Sequence, residues 1–299
     1  MKLRLTVLPL LVLLTLPACA GLTPLKSPRN AVPPLDAKGV KRVMVVVLEN
    51  GSPVVAAQQP FMKLLEGRGT RLDQYFGIAH PSQPNYIAIV AGNVSNAVMN
   101  DRLTLDRPHL GQVLGKRWKV YADDYPALPG KCNLTKSSGP YVRRHVPFLS
   151  FKDVQKSDCA QVVRLNSATD AIAALHADMN AGTLPDFGLI IPNLTHDGHA
   201  PSNIPNANRW LMENFAPLLD DPKFMDGTVF VLTFDEDETG DNKRGNRVYT
   251  VLAGPAVKQG VSRDVYNHYD LLATIATLLG VTPPPMTEAD ARPIGGIWK

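Results

Sequence analysis

The chain has 299 residues and a formal net charge of +4, and 44% of its residues are apolar. This nearly even charge balance argues against a nucleic-acid polymer or a polybasic membrane surface as the partner. The length allows a single large α/β domain with one well-filled core.

The first eighteen residues form an N-terminal leader that predicts export. Lys2 and Arg4 precede an apolar run that is too short for a membrane span, and small residues follow, which is typical of a secretory signal. The letters LPAC, which end at Cys19, resemble a bacterial lipobox and predict a lipidated Cys19 attached to a membrane. Cleavage after Ala20 is the alternative, because the residues before it fit a small-x-small site.

Residues 19–38 are rich in Pro, Ser and Ala and are interpreted as a flexible tether, so residues 39–299 are predicted to form the folded domain. Strands are predicted at Arg42–Leu48, Leu72–Phe76, Trp118–Tyr121, Phe187–Ile191, Thr228–Thr233 and Val248–Leu252. Helices are predicted at Phe61–Glu66, from Ser82 to Gly92, and at His109–Lys116, Ala168–Asn180, Asn208–Leu219 and Tyr269–Leu279. Because strands and helices alternate, we expect an α/β fold with a mainly parallel central sheet and helices on both faces.

The segment from about residue 123 to 160 lacks regular periodicity and is interpreted as an insertion. It contains Cys132 and Cys159, the two cysteines that remain once Cys19 is assigned to the leader. In an oxidising compartment such a pair most simply forms one disulfide, which predicts a stapled insertion. The same segment carries Arg143-Arg144-His145, a cationic cluster that faces either an anionic substrate or solvent.

The stretch from Tyr75 to Asn93 contains a tight loop, His80-Pro81-Ser82, that leads into a short apolar helix. Ser82 falls at the N-cap position, where serine is a preferred residue for purely structural reasons. A hydroxyl at a helix N-terminus also faces unpaired N–H groups and the positive end of the dipole, which favour an alkoxide or a bound phosphate. Whether Ser82 is only a helix cap or a catalytic residue depends on which residues from elsewhere in the chain lie next to it.

Three apolar strands end in residues that are typical metal ligands, namely Glu49-Asn50, Asp197 with His199, and Asp235-Glu236. The carboxyl ends of parallel strands meet at one edge of a sheet, where such folds place their sites. Several carboxylates at one edge repel one another unless a cation or protons compensate. The pattern therefore predicts a divalent metal site for Mg²⁺, Ca²⁺ or Mn²⁺, or for Zn²⁺ if His199 and His268 contribute.

Five segments in chain order carry a resemblance to a known family: HPSQPNYIAIVAG, RRHVPF, LPDFGLIIPNLTHDGH, VLTFDEDE and NHYDLLATI. Together they resemble the bacterial phosphoesterase family of secreted acid phosphatases and phospholipases C, within the alkaline phosphatase superfamily. The resemblance extends from about Arg42 to Gly280 and implies an alkaline-phosphatase-like fold. Glu236 stands where the two-zinc members of the superfamily carry a histidine, which favours a harder ion and puts a second metal in doubt.

The resemblance also implies the reaction and the site. Ser82 is the expected nucleophile, and the expected metal ligands are Glu49, Asn50, Asp235, Glu236 and Asp197. His199, His268 and His145 are the candidates to protonate the leaving oxygen, with His145 ranked last. The expected protein is an exported, monomeric, metal-dependent phosphomonoesterase that acts on small phosphate esters through a phosphoserine. A phospholipase C, a nucleotide phosphodiesterase and a non-catalytic solute-binding lipoprotein are the alternatives.

Overall fold

The computed structural model describes residues 34–97, 102–199, 203–239, 245–288 and 290–299. The predicted leader, the predicted lipidation site Cys19 and most of the predicted tether lie outside the described residues. Within those ranges, no helix combines the length and the apolar character that crossing a bilayer requires.

The described residues form ten strands and nine α-helices around one hydrophobic core. The strands are β1 Arg42–Leu48, β2 Gly69–Phe76, β3 Trp118–Ala122, β4 Ser137–Ser138, β5 Tyr141–Val142, β6 Val162–Arg164, β7 Phe187–Ile191, β8 Thr228–Phe234, β9 Thr250–Ala253 and β10 Gly260–Asn267. The helices are α1 Pro53–Ala56, α2 Pro60–Glu66, α3 Gln83–Val90, α4 Leu110–Leu114, α5 Lys152–Ser157, α6 Ala173–Ala181, α7 Ile204–Asn214, α8 Pro222–Met225 and α9 His268–Leu278.

Eight strands form a central sheet in the order β10-β2-β9-β8-β1-β7-β3-β6. Every neighbouring pair is parallel except the two that involve β9, which runs antiparallel to β2 and β8. In β1 and β8 nearly every residue is buried, as expected for strands covered on both faces. The predicted α/β fold with a mainly parallel central sheet is thus confirmed.

The two outermost strands, β10 and β6, were not predicted because neither has an apolar run. Strand β10 carries exposed and half-buried residues along most of its length and has an irregular register near Ser262, which is common at sheet edges. Strand β6 has only three residues. Helix α7 also begins four residues earlier than predicted and ends at Asn214, after which a short 3₁₀ turn starts at Pro217.

The chain between β3 and β6 is mostly irregular and contains the small β4-β5 hairpin, short 3₁₀ turns and α5. The predicted disulfide between Cys132 and Cys159 is present. This segment crosses the carboxyl edge of the sheet, since a 3₁₀ turn at Arg143–His145 brings His145 against Glu49 at the end of β1.

Strands β8, β1 and β7 are adjacent, so the polar residues that follow them are brought together at the same edge of the sheet. Main-chain hydrogen bonds extend the pairing past the strand ends: the Glu49 N–H donates to the Asp197 carbonyl (2.7 Å), and the Asp235 N–H donates to the Leu48 carbonyl (2.9 Å). Gly51 is required just beyond β1, because a Cβ there would lie 2.1 Å from the Phe234 ring.

Candidate active site

Ser82 occupies the N-cap position of α3, but its side chain makes no capping hydrogen bond. Its Oγ lies 3.1 Å from Glu49 Oε2 and 3.0 Å from Glu236 Oε1. One hydroxyl proton serves only one acceptor at a time, so this position next to two carboxylates is not explained by helix capping. The interpretation of Ser82 as a cap alone is therefore wrong.

The loop before Ser82 is held from both sides by two buried asparagines, Asn85 and Asn246. Asn85 Oδ1 accepts from the N–H groups of Ile78 (2.6 Å) and Ala79 (3.1 Å), and its Nδ2 donates to the Ala79 carbonyl (2.7 Å). Asn246 Nδ2 donates to the same carbonyl (3.0 Å). The His80-Pro81 peptide bond that follows is cis. The position of the Ser82 hydroxyl therefore depends on Asn85.

Replacing Asn85 with Ala is expected to lower both stability and activity. The variant leaves the N–H groups of Ile78 and Ala79 without their acceptor, so the free energy of unfolding is expected to fall by about 1–3 kcal/mol. Each kcal/mol lowers Tm by about 2–4 °C. The kcat of the folded protein is also expected to fall, because the loop that positions Ser82 loosens.

The measurement combines thermal unfolding with the specific activity of the folded fraction. Asn133→Ala is the matched control, because Asn133 makes the same kind of local bond to a main-chain carbonyl, that of Pro126, in the insertion. A loss of kcat in the control equal to that of Asn85→Ala would contradict the positioning role.

Four carboxylates lie together at this edge of the sheet, two of them in contact with Ser82, and each of their residues is at most 2% exposed: Glu49, Asp197, Asp235 and Glu236. Asn50 connects two of them, since its main-chain N–H donates to Asp235 Oδ1 (3.1 Å) and its Nδ2 donates to Glu236 Oε1 (2.9 Å). Asn50 adopts a positive φ of 31°, a backbone conformation that non-glycine residues seldom adopt. The structure thus brings all five sequence-predicted metal ligands to one place.

The electrostatics of this cluster oppose the presence of several negative charges. Burial raises the pKa of Glu49 to about 8, and the charges of Asp197 and Glu236 contribute to the rise. Burial also raises the pKa of Asp235 well above its ordinary value, again with help from Glu49 and Glu236. For Asp197, burial raises the pKa to about 6. Protons or a cation must therefore offset the repulsion among these groups.

The donor set fits a divalent cation. Asp197 Oδ2 and Asp235 Oδ2 are buried and have no hydrogen-bond partner among the described residues, although buried polar atoms are nearly always paired. The available donors are mostly carboxylate oxygens, which suit hard divalent ions. Within the described ranges, however, no three His, Cys, Asp or Glu side chains are already arranged as a metal coordination sphere.

His80 belongs to the site and was not among the sequence-predicted residues. Its Nδ1 lies 2.5 Å from Glu236 Oε2, and its Nε2 lies 3.6 Å from Asp237 Oδ1. The signal in the sequence was its place two residues before Ser82, in the loop that carries the hydroxyl. We interpret His80 as a positioning residue that holds the Glu236 carboxylate.

His145 lies inside the site, in contact with Tyr86 of α3 and with Glu49, the residue that follows β1. Its Nε2 is 3.3 Å from Glu49 Oε1, and its ring stacks on Tyr86 with 5.1 Å between centroids. Tyr86 in turn hydrogen-bonds to the Glu49 carboxylate. Burial lowers the pKa of His145 well below its ordinary value, and the charges of Arg144 and His199 lower it further. His145 is therefore a neutral partner of Glu49 in this structure.

His268 lies beneath the site with both ring nitrogens occupied. Its Nε2 is 2.6 Å from the main-chain carbonyl of Asp235, so it must carry the proton, and its Nδ1 accepts from the Tyr75 hydroxyl at 3.0 Å. Burial lowers its pKa to about 4. The expected role in protonating the leaving oxygen is therefore corrected: His268 fixes the main chain at Asp235 and does not reach the cleft.

His199 is exposed and lies at the rim of the site. Its main-chain N–H donates to Asp197 Oδ1 at 3.0 Å, and its side chain lowers the pKa of Asp197 electrostatically. On the other side of Asp197, His196 Nδ1 lies 2.8 Å from Asp123 Oδ2, and its ring stacks on Trp210. Sequence reasoning missed this pairing because Asp123 was assigned to the irregular insertion and not to the end of a strand.

The fold has counterparts among solved structures. A protein of the alkaline phosphatase superfamily from Vibrio parahaemolyticus superposes with a TM-score of 0.61 over 88% of this chain and 72% of its own, at 13% identity. Murine ectonucleotide pyrophosphatase/phosphodiesterase 5, solved in an inactive form in complex with AMP, superposes with a TM-score of 0.57 over 83% of this chain and 97% of its own, at 11% identity. The chain therefore has the fold of the alkaline phosphatase superfamily.

The chain belongs to the phosphoesterase family, whose profile matches residues 55–282. It is 31% identical over 260 residues to a probable acid phosphatase of Kluyveromyces lactis, a match that covers 82% of this chain and 60% of the relative. It is 30% identical over 264 residues to a phosphatidylinositol-3-phosphatase of Mycobacterium tuberculosis, which covers 86% of this chain and 82% of the relative. The chain thus spans less than two thirds of the Kluyveromyces protein.

Proposed function

We propose that this protein is a divalent-metal-dependent phosphoric ester hydrolase that cleaves small phosphomonoesters with Ser82 as the nucleophile. The observation that carries the proposal is the Ser82 hydroxyl, about 3 Å from both Glu49 and Glu236 at the start of α3. Family membership and relatives named as acid phosphatases support the reaction class.

The metal is proposed to bind among five residues that meet at the carboxyl edge of the sheet: Glu49, Asn50, Asp197, Asp235 and Glu236. When bound, a divalent cation supplies Lewis-acid polarisation and neutralises negative charge on the phosphoryl group. His80 and Asn50 orient the Glu236 carboxylate, and His268 fixes the main chain at Asp235. These contacts hold the site in one arrangement before substrate arrives, which lowers the cost of binding in the reactive geometry.

The chemistry at Ser82 proceeds in two displacements. In the first, the bond between Ser82 Oγ and phosphorus forms, the bond from phosphorus to the alcohol oxygen breaks, and the serine proton passes to a neighbouring carboxylate. The exposed His199 is the proposed donor of a proton to the departing alcohol. In the second, water attacks phosphorus and gives a proton to His199, and the bond between phosphorus and Ser82 Oγ breaks. Ser82 takes back its proton from the carboxylate as inorganic phosphate leaves. The N-terminus of α3 favours the negative charge throughout.

The proposed site of action is outside the cytoplasm. The leader of residues 1–18 and the lipobox-like LPAC at Cys19 support export and membrane attachment. The disulfide between Cys132 and Cys159 supports an oxidising compartment. We propose a monomer that acts on small soluble esters.

The proposal is tested by trapping the phosphoenzyme. Holoenzyme is mixed with a phosphomonoester, quenched in acid and digested, and the peptides are analysed by mass spectrometry. We expect a phosphate on the peptide that contains Ser82, and no such signal without substrate. Phosphate release without any trapped or mapped phosphoserine, under conditions that trap a reference phosphoserine enzyme, would contradict the nucleophile assignment.

The same preparation separates the substrate classes. The panel compares p-nitrophenyl phosphate, bis-p-nitrophenyl phosphate, phosphatidylcholine and a phosphatidylinositol 3-phosphate, because one relative is named for the last of these. We expect the first to be turned over fastest. Preference for the diester or for phosphatidylcholine would favour a phosphodiesterase or a phospholipase C, and binding without any product would favour a solute-binding protein.

A further inference from the structure

The side chain of Arg143 is buried among main-chain carbonyl groups. Arg143 is 4% exposed, and its Nη2 lies 2.9 Å from the carbonyl oxygens of both Leu103 and Leu149. Its Nη1 lies 3.3 Å from the carbonyl oxygen of Leu134. One guanidinium thus joins three segments of the chain: the one before α4, the irregular part of the insertion, and the 3₁₀ turn Pro147–Ser150. The expectation that this cluster faces an anionic substrate or solvent is therefore wrong for Arg143.

The main chain of Arg143 is held as firmly as its side chain. Its N–H donates to the Lys136 carbonyl at 3.0 Å, and its carbonyl accepts from the Val146 N–H at 2.9 Å, the bond that closes the 3₁₀ turn. A guanidinium presents several N–H groups in one rigid plane, so it can bind carbonyls from different segments at once. The turn that carries His145 therefore starts from a fixed point.

His145, two residues further along the turn, has no hydrogen bond to hold its ring in place. Neither of its ring nitrogens has a hydrogen-bond partner among the described residues. The ring lies 3.3 Å from Glu49 Oε1 through Nε2 and stacks on Tyr86 with 9° between the ring planes. These contacts are not directional enough to fix the ring by themselves, since stacked rings slide at little cost. The place of His145 thus depends on the turn, and the turn depends on Arg143.

We propose that Arg143 is a positioning residue that sets the contact between His145 and Glu49, and through it the carboxylate beside the nucleophile. Glu49 Oε2 lies 3.1 Å from Ser82 Oγ, so a shift of Glu49 displaces a group that can take the serine proton. The inference rests on the proposed function and adds a buried residue of the insertion on which its rate depends. Misplacing a catalytic group by about 1 Å can lower a rate about 100-fold, so a residue that acts only through position has a measurable effect.

The test compares the wild-type holoenzyme with Arg143→Met, Arg143→Lys, His145→Ala and the double variant Arg143→Met/His145→Ala. For Arg143→Met we expect kcat for p-nitrophenyl phosphate to fall about 10- to 100-fold, while KM changes less than about 3-fold. Arg143→Lys keeps a charged donor and is expected to recover part of the loss. In the His145→Ala background, Arg143→Met is expected to lower kcat by less than about 2-fold further, because the two residues act as one unit.

Arg68→Met is the matched control, because Arg68 also donates to a main-chain carbonyl, that of Leu219 at 2.9 Å, in another part of the fold. It is expected to keep the wild-type kcat. Wild-type kcat in Arg143→Met or in His145→Ala, an equal loss from Arg143→Met in both backgrounds, or the same loss in Arg68→Met would overturn the proposal. Thermal unfolding verifies that each variant is folded, and Arg143→Lys carries the comparison if Arg143→Met does not fold.

A second measurement is independent of the reaction. In protein with ¹³C-labelled histidine, the ring signal of His145 is identified by its absence from His145→Ala, and its position reports the stack on Tyr86. We expect this signal to move in Arg143→Met, and less in Arg143→Lys, because the ring leaves the face of Tyr86. An unchanged signal would overturn the proposal, whereas a wild-type holoenzyme that hydrolyses no monoester would overturn the proposed function alone.

Discussion

Replacing Ser82 with Ala is expected to lower kcat for p-nitrophenyl phosphate at least about 10⁴-fold. The variant removes the oxygen that attacks phosphorus, and no neighbouring carboxylate is expected to substitute for it at a comparable rate. Binding of substrate is expected to persist, since the metal ligands and the helix N-terminus remain. The measurement is steady-state kinetics of the metal-loaded variant, together with inhibition by inorganic phosphate.

The matched control for this experiment is Ser95→Ala, which removes the hydroxyl of an exposed serine a short distance beyond α3. It is expected to keep wild-type kinetics. Near-complete activity in Ser82→Ala would show that water attacks the substrate directly, and the nucleophile assignment would then be abandoned.

Metal removal is expected to have the second largest effect. A chelator is expected to lower kcat at least about 10³-fold, because the cation supplies several kcal/mol of transition-state stabilisation. Removal also leaves the buried carboxylates of Glu49, Asp197 and Asp235 to repel one another, so Tm is expected to fall. Activity and Tm are measured before and after dialysis against chelator, and then after return of Mg²⁺, Ca²⁺, Mn²⁺ or Zn²⁺.

The variant Asp235→Asn separates the two effects of metal removal, because it is expected to change activity and stability in opposite directions. Without metal, the variant is expected to be more stable than metal-free wild type by roughly 1 kcal/mol, or about 2–4 °C in Tm, since position 235 then needs neither a charge nor a bound proton among the buried carboxylates. With metal it is expected to be inactive and to gain little Tm. Asp226→Asn, at an exposed ion pair with Lys41, is the control and is expected to behave like wild type. A metal-free Asp235→Asn less stable than metal-free wild type would count against the cluster's repulsion.

The sequence predicted correctly those elements whose residue pattern has only one physical explanation. Buried strands appear as uninterrupted apolar runs, and β1 and β7 begin and end at the predicted residues. Because parallel strands end at the same edge, the convergence of Glu49, Asp197 and Asp235 was also predictable. Strand β10 was not, because an edge strand with one polar side has no such run.

The direction of individual side chains was beyond the reach of sequence. His268 immediately follows a strand, as expected of a site residue, yet its ring turns to a main-chain carbonyl and to Tyr75. Arg143 and Arg144 are identical in type and adjacent, yet Arg143 is buried against main-chain carbonyls whereas Arg144 is only half-buried. His80 was missed for the same reason, since the sequence does not show that its ring turns toward Glu236.

The bond between Cys132 and Cys159 closes the segment that brings His145 against Glu49 at the edge of the sheet. The completeness of the cleft therefore depends on where the polypeptide matures. Chains produced in a reducing cytosol are expected to acquire the sheet and its carboxylates but to hold His145 loosely against Glu49. Under the proposed export, the site is therefore expected to reach its final form only after the chain enters an oxidising compartment.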